Sequence, residues 1–188
     1  MDSYARKAHK EGYASRSAYK LQAIIKKFHP IPQGGRVLDL GAAPGGWMQV
    51  AAETVGLNGI VVGVDLGQVS VTGDNIRPIV GNIFDPSCLE KIRSWAPYDS
   101  IISDMAPKTT GIKIRDQEQS QALVDCVISL SDELLKRRGS LIAKIFQGAS
   151  MDYYTNELKK RFKSVRNYKP KASRERSFET YLIALHKH

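Results

Sequence analysis

Cysteine is scarce in this chain: Cys88 and Cys126 are the only two, and neither belongs to a C-x-x-C pair. That excludes a disulfide framework and a zinc site of the usual spacing; both thiols read as small apolar packing residues. The four histidines, His9, His29, His186 and His188, are scattered and show no ligand spacing, so no metal is expected. Long apolar runs are missing as well. Stretches such as Ile60-Val61-Val62 fall far short of the roughly 20 apolar residues that cross a bilayer. The opening Met1-Asp2-Ser3-Tyr4-Ala5-Arg6-Lys7 has basic residues but no apolar run behind them, unlike a signal peptide. A cytoplasmic, reduced protein without membrane contact is expected. Neither G-x-G-x-x-G nor G-x-x-x-x-G-K-[ST] occurs, which removes the usual cradles for a pyrophosphate.

What is present is an ordinary globular composition. The 188 residues are 42% hydrophobic and 25% charged, which suits one domain over 1–188, and a monomer is the simplest expectation. Charge is distributed unevenly. Residues 1–30 hold seven basic and two acidic side chains, net +5; residues 31–158 are net −4; residues 159–188 are net +8. If both basic ends meet on one face they form a surface for a polyanion, since each Lys or Arg can neutralise a phosphate and release its counterion. A solvated face kept soluble by charge is the plainer reading. Tyr4, Tyr13, Tyr19, Tyr153, Tyr154 and Tyr168 interleave the basic residues and favour nucleic acid, although rings are also packing material.

Short β-branched runs alternate with helical patterns, the signature of parallel strands joined by crossover helices. Strands are expected at Arg36–Leu40, Gly59–Asp65, Ile76–Asn82, Tyr98–Asp104, Gly139–Phe146, Ser164–Tyr168 and Phe178–His186, the last two as a hairpin-like pair. The first five are near-continuous apolar runs, as in strands buried on both faces. Helices are expected at Ser15–Phe28, Gly46–Val55, Pro86–Trp95, Arg115–Arg138 and Met151–Phe162, with Gly139 as the stop of the fourth. Gly67–Asn75 reads as a loop, and Trp95 and Phe84 as core. The expected architecture is α/β: a Rossmann-like, seven-stranded, mostly parallel twisted sheet with helices on both faces. Ligands bind such sheets beyond the carboxyl ends of the strands.

At the first of those ends, Val37-Leu38-Asp39-Leu40 runs into Gly41-Ala42-Ala43-Pro44-Gly45-Gly46-Trp47. Small residues at a strand-to-helix turn let a ligand approach backbone N–H groups, although any α/β protein can use such a turn as a tight connection. Strand two ends in Asp65, from which a carboxylate can accept both ribose hydroxyls, and strand three ends in Asn82. Gly41, Asp65 and Asn82 without a pyrophosphate cradle fit S-adenosylmethionine better than a dinucleotide.

The segments Asp39-Leu-Gly-Ala-Ala-Pro-Gly-Gly-Trp47, Ser103-Asp-Met-Ala-Pro107 and Lys144-Ile-Phe-Gln-Gly148 together resemble the FtsJ-type RNA 2′-O-ribose methyltransferases. Tyr13-Ala-Ser-Arg-Ser-Ala-Tyr-Lys-Leu21 and Ser173-Arg-Glu-Arg-Ser-Phe-Glu179 match that family's opening and closing segments, so the resemblance spans about Tyr13 to Leu185. It implies an S-adenosylmethionine-dependent methyltransferase fold. Gly45 and Trp47 are then methionine-end contacts, Asp65 the ribose-binding acid and Asp104 the acid near the methionine amine. One position departs from the family: Asn82 stands where Asp is common, keeping a carbonyl acceptor but no charge.

Methyl transfer to a ribose hydroxyl requires two aligned ligands and removal of one proton, so a base is needed. A free lysine, at roughly 10.4, is protonated at neutral pH, and burial or a second cation lowers that value. Lys144 interrupts the apolar strand Ser140–Phe146, where a charge is costly unless paired or functional. The resemblance makes Lys20, Asp104, Lys144 and Glu179 the catalytic tetrad, with Lys144 as base. Each has a plainer alternative: a buried structural ion pair for Lys144 and Asp104, a solvated helix lysine for Lys20, a surface acid for Glu179. Period-two alternation puts Tyr181 on the face of Glu179, where it can position the ribose. Lys169, Lys171, Arg174 and Arg176, with Arg16 and the nearby Arg6, Lys7 and Lys10, read as an RNA clamp, or else as a charged loop.

The expected activity is methylation of a ribose 2′-hydroxyl in RNA, a uridine of the large ribosomal subunit being the first expectation. A tRNA 2′-O-methyltransferase, an inactive RNA-binding ribosome-assembly factor and a nucleotide-dependent oxidoreductase are the rivals. The last is disfavoured by Pro44 and the missing glycine spacing.

Overall fold

Apolar runs too short to be core helices, each broken by Gly, Pro or Asp, have only one way to bury both their faces, which is to become inner strands of a layered sheet. The computed structural model shows this arrangement. It describes residues 2–107, 113–148, 150–174 and 177–188, apart from the side chains at 113, 114, 116 and 117. In chain order the elements are α1 (Ser3–Glu11), α2 (Ala18–Phe28), β1 (Arg36–Leu40), α3 (Gly46–Val55), β2 (Ile60–Asp65), β3 (Ile76–Val80), α4 (Pro86–Arg93), β4 (Tyr98–Ser103), α5 (Lys113–Leu134), β5 (Leu135–Phe146), α6 (Met151–Lys159), β6 (Phe162–Tyr168) and β7 (Glu179–Lys187).

The seven strands lie in the order β3-β2-β1-β4-β5-β7-β6. β1 pairs in parallel with both β2 and β4, while β7 runs antiparallel between β5 and β6. Strand order therefore switches between β1 and β4, the place where an open α/β sheet leaves a crevice at its carboxyl edge. Alternation sorts the side chains. Leu38, Leu40, Ile101, Leu141 and Leu182 meet α4, α5 and α6 on one face. Val37, Ile102, Ile142, Tyr181 and Ile183 meet α2 and α3 on the other. Each such Leu or Ile, fully buried, stabilises the fold by about 1.5–3 kcal/mol.

Three expectations are corrected. The N-terminal basic segment contains a helix, α1, capped by the Asp2 carboxylate on the Tyr4 amide and ended by Gly12 in the left-handed region at φ 79°. The expected helix Arg115–Arg138 ends at Leu134, and Arg138, at φ 66°, takes the left-handed position assigned to Gly139. Pairing moves directly from Tyr98–Leu135 to Ser100–Ser140, so the basic turn 136–139 bulges out of β5. The end of α5 is set from elsewhere in the chain: the Lys187 ammonium donates to the carbonyls of Ser131, Asp132 and Leu135 at 2.6, 2.8 and 3.0 Å. Phe84, expected in the core, is 58% exposed at the carboxyl edge of the sheet. All four histidines are exposed, and no cluster of metal-ligating side chains occurs among the described residues. Nor is any described helix long and apolar enough to cross a membrane.

Candidate active site

A groove of about 290 Å³ opens beyond β1, β2, β3 and β4, lined by Gly41, Asp65, Asn82, Phe84, Asp104 and Met105 among others. Its floor needs a bare backbone: at Gly41, φ 81°, an added Cβ would come within 2.7 Å of Met105 Cγ. Asp65 is locked by two amides, accepting from Ala43 N at 2.9 Å and Gly67 N at 2.8 Å. Its remaining lone pairs are free for a diol. The Asn82 carbonyl oxygen accepts its own turn's Phe84 amide at 3.0 Å, closing an Asx-type turn that brings Phe84 to the groove. These residues fit the nucleoside end of S-adenosylmethionine. Gly45 and Trp47, expected at its other end, do not line the groove. Gly45, at φ 124°, lies under Val71 of the 67–75 loop, and buried Trp47 donates its indole N–H to the Ser17 carbonyl at 2.9 Å.

That indole bond is one of several that sew residues 12–17 onto α3. Ala14 N donates to Gln49 Oε1 at 2.8 Å, Gln49 Nε2 donates to Gly12 O at 2.9 Å, and Gly46 leaves room for the Ser15 hydroxyl. The consequence is the placement of α2, which begins directly after this stitch and carries Lys20. A second cavity, of about 500 Å³, is lined by Arg16, Lys20, Arg174, Ser177 and Glu179.

The four reactive candidates form two ion pairs linked through Lys144, whose charge acts on Glu179. Lys144 lies opposite Tyr181 in the β5–β7 ladder, with Glu179 one diagonal step away on the same face. Lys144 Nζ is 3.1 Å from Asp104 Oδ1 and donates to the Asp104 carbonyl at 2.6 Å. Lys20 Nζ is 2.5 Å from Glu179 Oε1. Burial would lift the Glu179 carboxyl, but the Lys20 charge, aided by Lys144, holds it below its ordinary value. Tyr181, expected against RNA, is 0% exposed and has no surface to offer a substrate. Its ring lies 5.6 Å from that of Trp47, and its hydroxyl donates to Asp104 Oδ1 at 2.7 Å. Burial and the adjacent Asp104 carboxylate push its phenol well up, so it remains a donor that orients Asp104.

Asp39 is the functional candidate that sequence reasoning left without a role. It is 0% exposed, and neither carboxylate oxygen has a hydrogen-bond partner among the described residues. Burial, then the charges of Asp104 and Asp65, push its carboxyl well up. The signal was the one used for Lys144, an ionisable residue inside an apolar strand.

Among the clamp residues, Lys169, Lys171 and Arg174 are exposed on the loop between β6 and β7, and Lys169 Nζ donates to the Ser177 carbonyl at 2.7 Å. Arg6, Lys7 and Lys10 are exposed along α1. α1 and the β6–β7 loop are joined by a small cluster of Ala8, Tyr19 and Ala172, so the two basic ends do share a face. Arg176 lies outside the described residues.

Known proteins show the same arrangement of chain. A ribosomal RNA large subunit methyltransferase E from Treponema denticola is 41% identical over 186 residues, 98% of this chain and 94% of that protein. One from Methanothrix thermoacetophila is 46% identical over 184 residues, 97% of this chain and 71% of that protein. The crystal structure of a Plasmodium falciparum ribosomal RNA methyltransferase superposes with a TM-score of 0.81 at 27% identity, covering 93% of this chain and 98% of that one. Aeropyrum pernix fibrillarin, crystallised with natively bound S-adenosyl-L-methionine, shares the fold alone: TM-score 0.61, 19% identity, 90% of this chain and 76% of that one. The model of the FtsJ-like methyltransferase family matches residues 13–187. With a match that runs through the glycine turn, both lysines and the closing strand, this chain belongs to the FtsJ-like methyltransferase family.

Proposed function

We propose that this methyltransferase is a single cytoplasmic domain, acting as a monomer, that methylates a ribose 2′-hydroxyl of large-subunit ribosomal RNA, with a uridine as the expected target. S-adenosylmethionine, when bound, supplies a methyl group activated by its sulfonium. Gly41, Asp65 and Asn82 hold its nucleoside end; Asp104 provides negative charge for the methionine amine. Lys20, Asp104, Lys144 and Glu179 are the catalytic set. The Lys20 ammonium and the Glu179 carboxylate offer the acceptor ribose one donor group and one acceptor. As the base, Lys144 takes the hydroxyl proton at Nζ, held in place by the Asp104 carbonyl and steered by Tyr181 through the Asp104 carboxylate. Lys169, Lys171, Arg174 and Arg176 with Arg16 engage the RNA backbone.

One observation carries this reading. Lys144 Nζ stands against Asp104, which lines the nucleoside groove, while its diagonal neighbour Glu179 lines the other cavity with Lys20. A base placed between a methyl donor and a hydroxyl acceptor needs this position. The test is transfer of labelled methyl from S-adenosylmethionine to large-subunit RNA lacking the modification. Lys144→Ala should cut turnover by about 10²–10⁴-fold, the usual contribution of a general base, with cofactor binding near wild type. Wild-type turnover by that variant removes the base assignment. Label entering tRNA instead redirects the substrate, and no label in any RNA leaves a binding factor.

A further inference from the structure

Arg16 and Arg174 stand at opposite ends of the chain, one just before α2 and the other in the β6–β7 loop, yet both line the cavity that holds Lys20 and Glu179. Two guanidinium groups on one wall repel each other. Burial and then the Arg174 charge lower the Arg16 guanidinium, the mark of a cation facing another cation. Such a pair calls for an anion, and this chain brings its own. The Asp2 carboxylate is ion-paired with Arg16, and its Oδ2 lies 3.9 Å from Arg174 Nε. The other oxygen of the same carboxylate caps α1 on the Tyr4 amide at 3.0 Å. Arg16 is fixed from its far side by the Ala172 carbonyl, 2.5 Å away, so it stays in place whether or not Asp2 does. Arg174 is the solvent-facing partner, its side chain 76% exposed.

An anion held by two guanidinium groups is the geometry in which arginine recognises phosphate. In a ribonucleotide the 2′-hydroxyl and the 3′-phosphate sit on adjacent carbons of one sugar. A cavity that receives the hydroxyl between Lys20 and Glu179 must therefore have an anion site beside it. We propose that Arg16 and Arg174 form the seat for the RNA phosphate next to the target ribose, and that the Asp2 carboxylate fills this seat in the free enzyme as a built-in competitor that RNA displaces. The inference rests on the RNA-methylation reading and adds to it a phosphate subsite and a gate. A polyanion that cannot also engage the Lys20–Glu179 cavity gains too little to evict an anion tethered to α1.

The experiment measures the Kd of the full-length protein for a large-subunit RNA fragment by fluorescence anisotropy. Asp2→Asn keeps a side-chain oxygen for the α1 cap and removes the charge; Asp2→Ser is a second neutral capping residue. Both should tighten binding by about three- to tenfold at low salt, the scale of relieving one competing ion pair, and the gain should shrink at high salt. In an Arg174→Gln background the gain from Asp2→Asn should vanish. An unchanged Kd in either neutral variant overturns the proposal, as does an equal gain without Arg174. Methyl transfer by the wild-type protein is measured alongside: its absence counts against the functional reading, whereas an unaltered Kd sinks the seat even when methylation is normal.

Discussion

Asp39 shows what a single residue can reveal when its surroundings are known. A fully buried carboxyl without partners favours its protonated form, so the folded protein keeps a proton that the unfolded chain releases. Its contribution is therefore intact below the unfolded value and is lost as pH rises through the raised folded value. Asp39→Asn removes this dependence. The melting temperature of the variant should gain on that of the wild type as pH rises from the ordinary carboxylate range towards neutrality, as read by thermal denaturation without cofactor. A gap constant with pH would show that Asp39 does not titrate in this way. Glu179 works in the opposite direction: held low by Lys20, it stabilises the fold above its unfolded value and loses that effect as pH falls through the folded one. Residue identities of this kind were legible in the chain, since Lys144 and Asp39 both interrupt apolar runs. Their partners were not, because Lys144 meets Asp104 across 40 positions of sequence. Tyr181 makes the point from the other side. Its alternation with Glu179 was correct, but only packing against Trp47 shows that this face is buried.

Among the elements, local pattern located β1, β2, β3 and β4 to within two residues, because buried strands demand apolar runs, whereas β5 begins four residues before the expected Gly139. Ends were less legible. The Lys136-Arg137-Arg138-Gly139 sequence has the look of a helix stop, yet α5 finishes at Leu134, where Leu135 pairs with Tyr98 and Lys187 reaches over from β7. That ammonium occupies the negative end of the helix dipole and satisfies carbonyls that have no partner within the helix. Burial lowers the Lys187 amine, in keeping with its enclosed position. Lys187→Met should cost about 1–3 kcal/mol, the scale of charge-assisted hydrogen bonds, appearing in urea denaturation as a lower midpoint with an unchanged slope. A variant as stable as wild type would mean that water caps α5 equally well. α1 was missed because its mean character is polar, although Asp2 and Gly12 are suitable residues for its two ends.

Over the whole molecule, charge and chain topology act together. The two basic ends come to one face because α1 packs on the β6–β7 loop through Ala8 and Ala172. Lys10 and Lys171 are exposed, one from each end. Replacing both with Gln should lower the slope of log affinity against log salt by about 1.4, at roughly 0.7 per phosphate contact on single-stranded RNA. An unchanged slope would place the RNA elsewhere. Local pattern, through periodicity and turn chemistry acting over a few residues, located the seven strands and every helix except α1. The sequence also determined the glycine turn, the acid at the end of β2 and the resemblance that names the chemistry. Three-dimensional packing set the insertion of β7 between β5 and β6, the pairing of Lys20 with Glu179, the burial of Tyr181 and the closing of the two arginines on Asp2. Those contacts join distant parts of the chain, and strand order and register, which no local pattern encodes, are what bring them within reach.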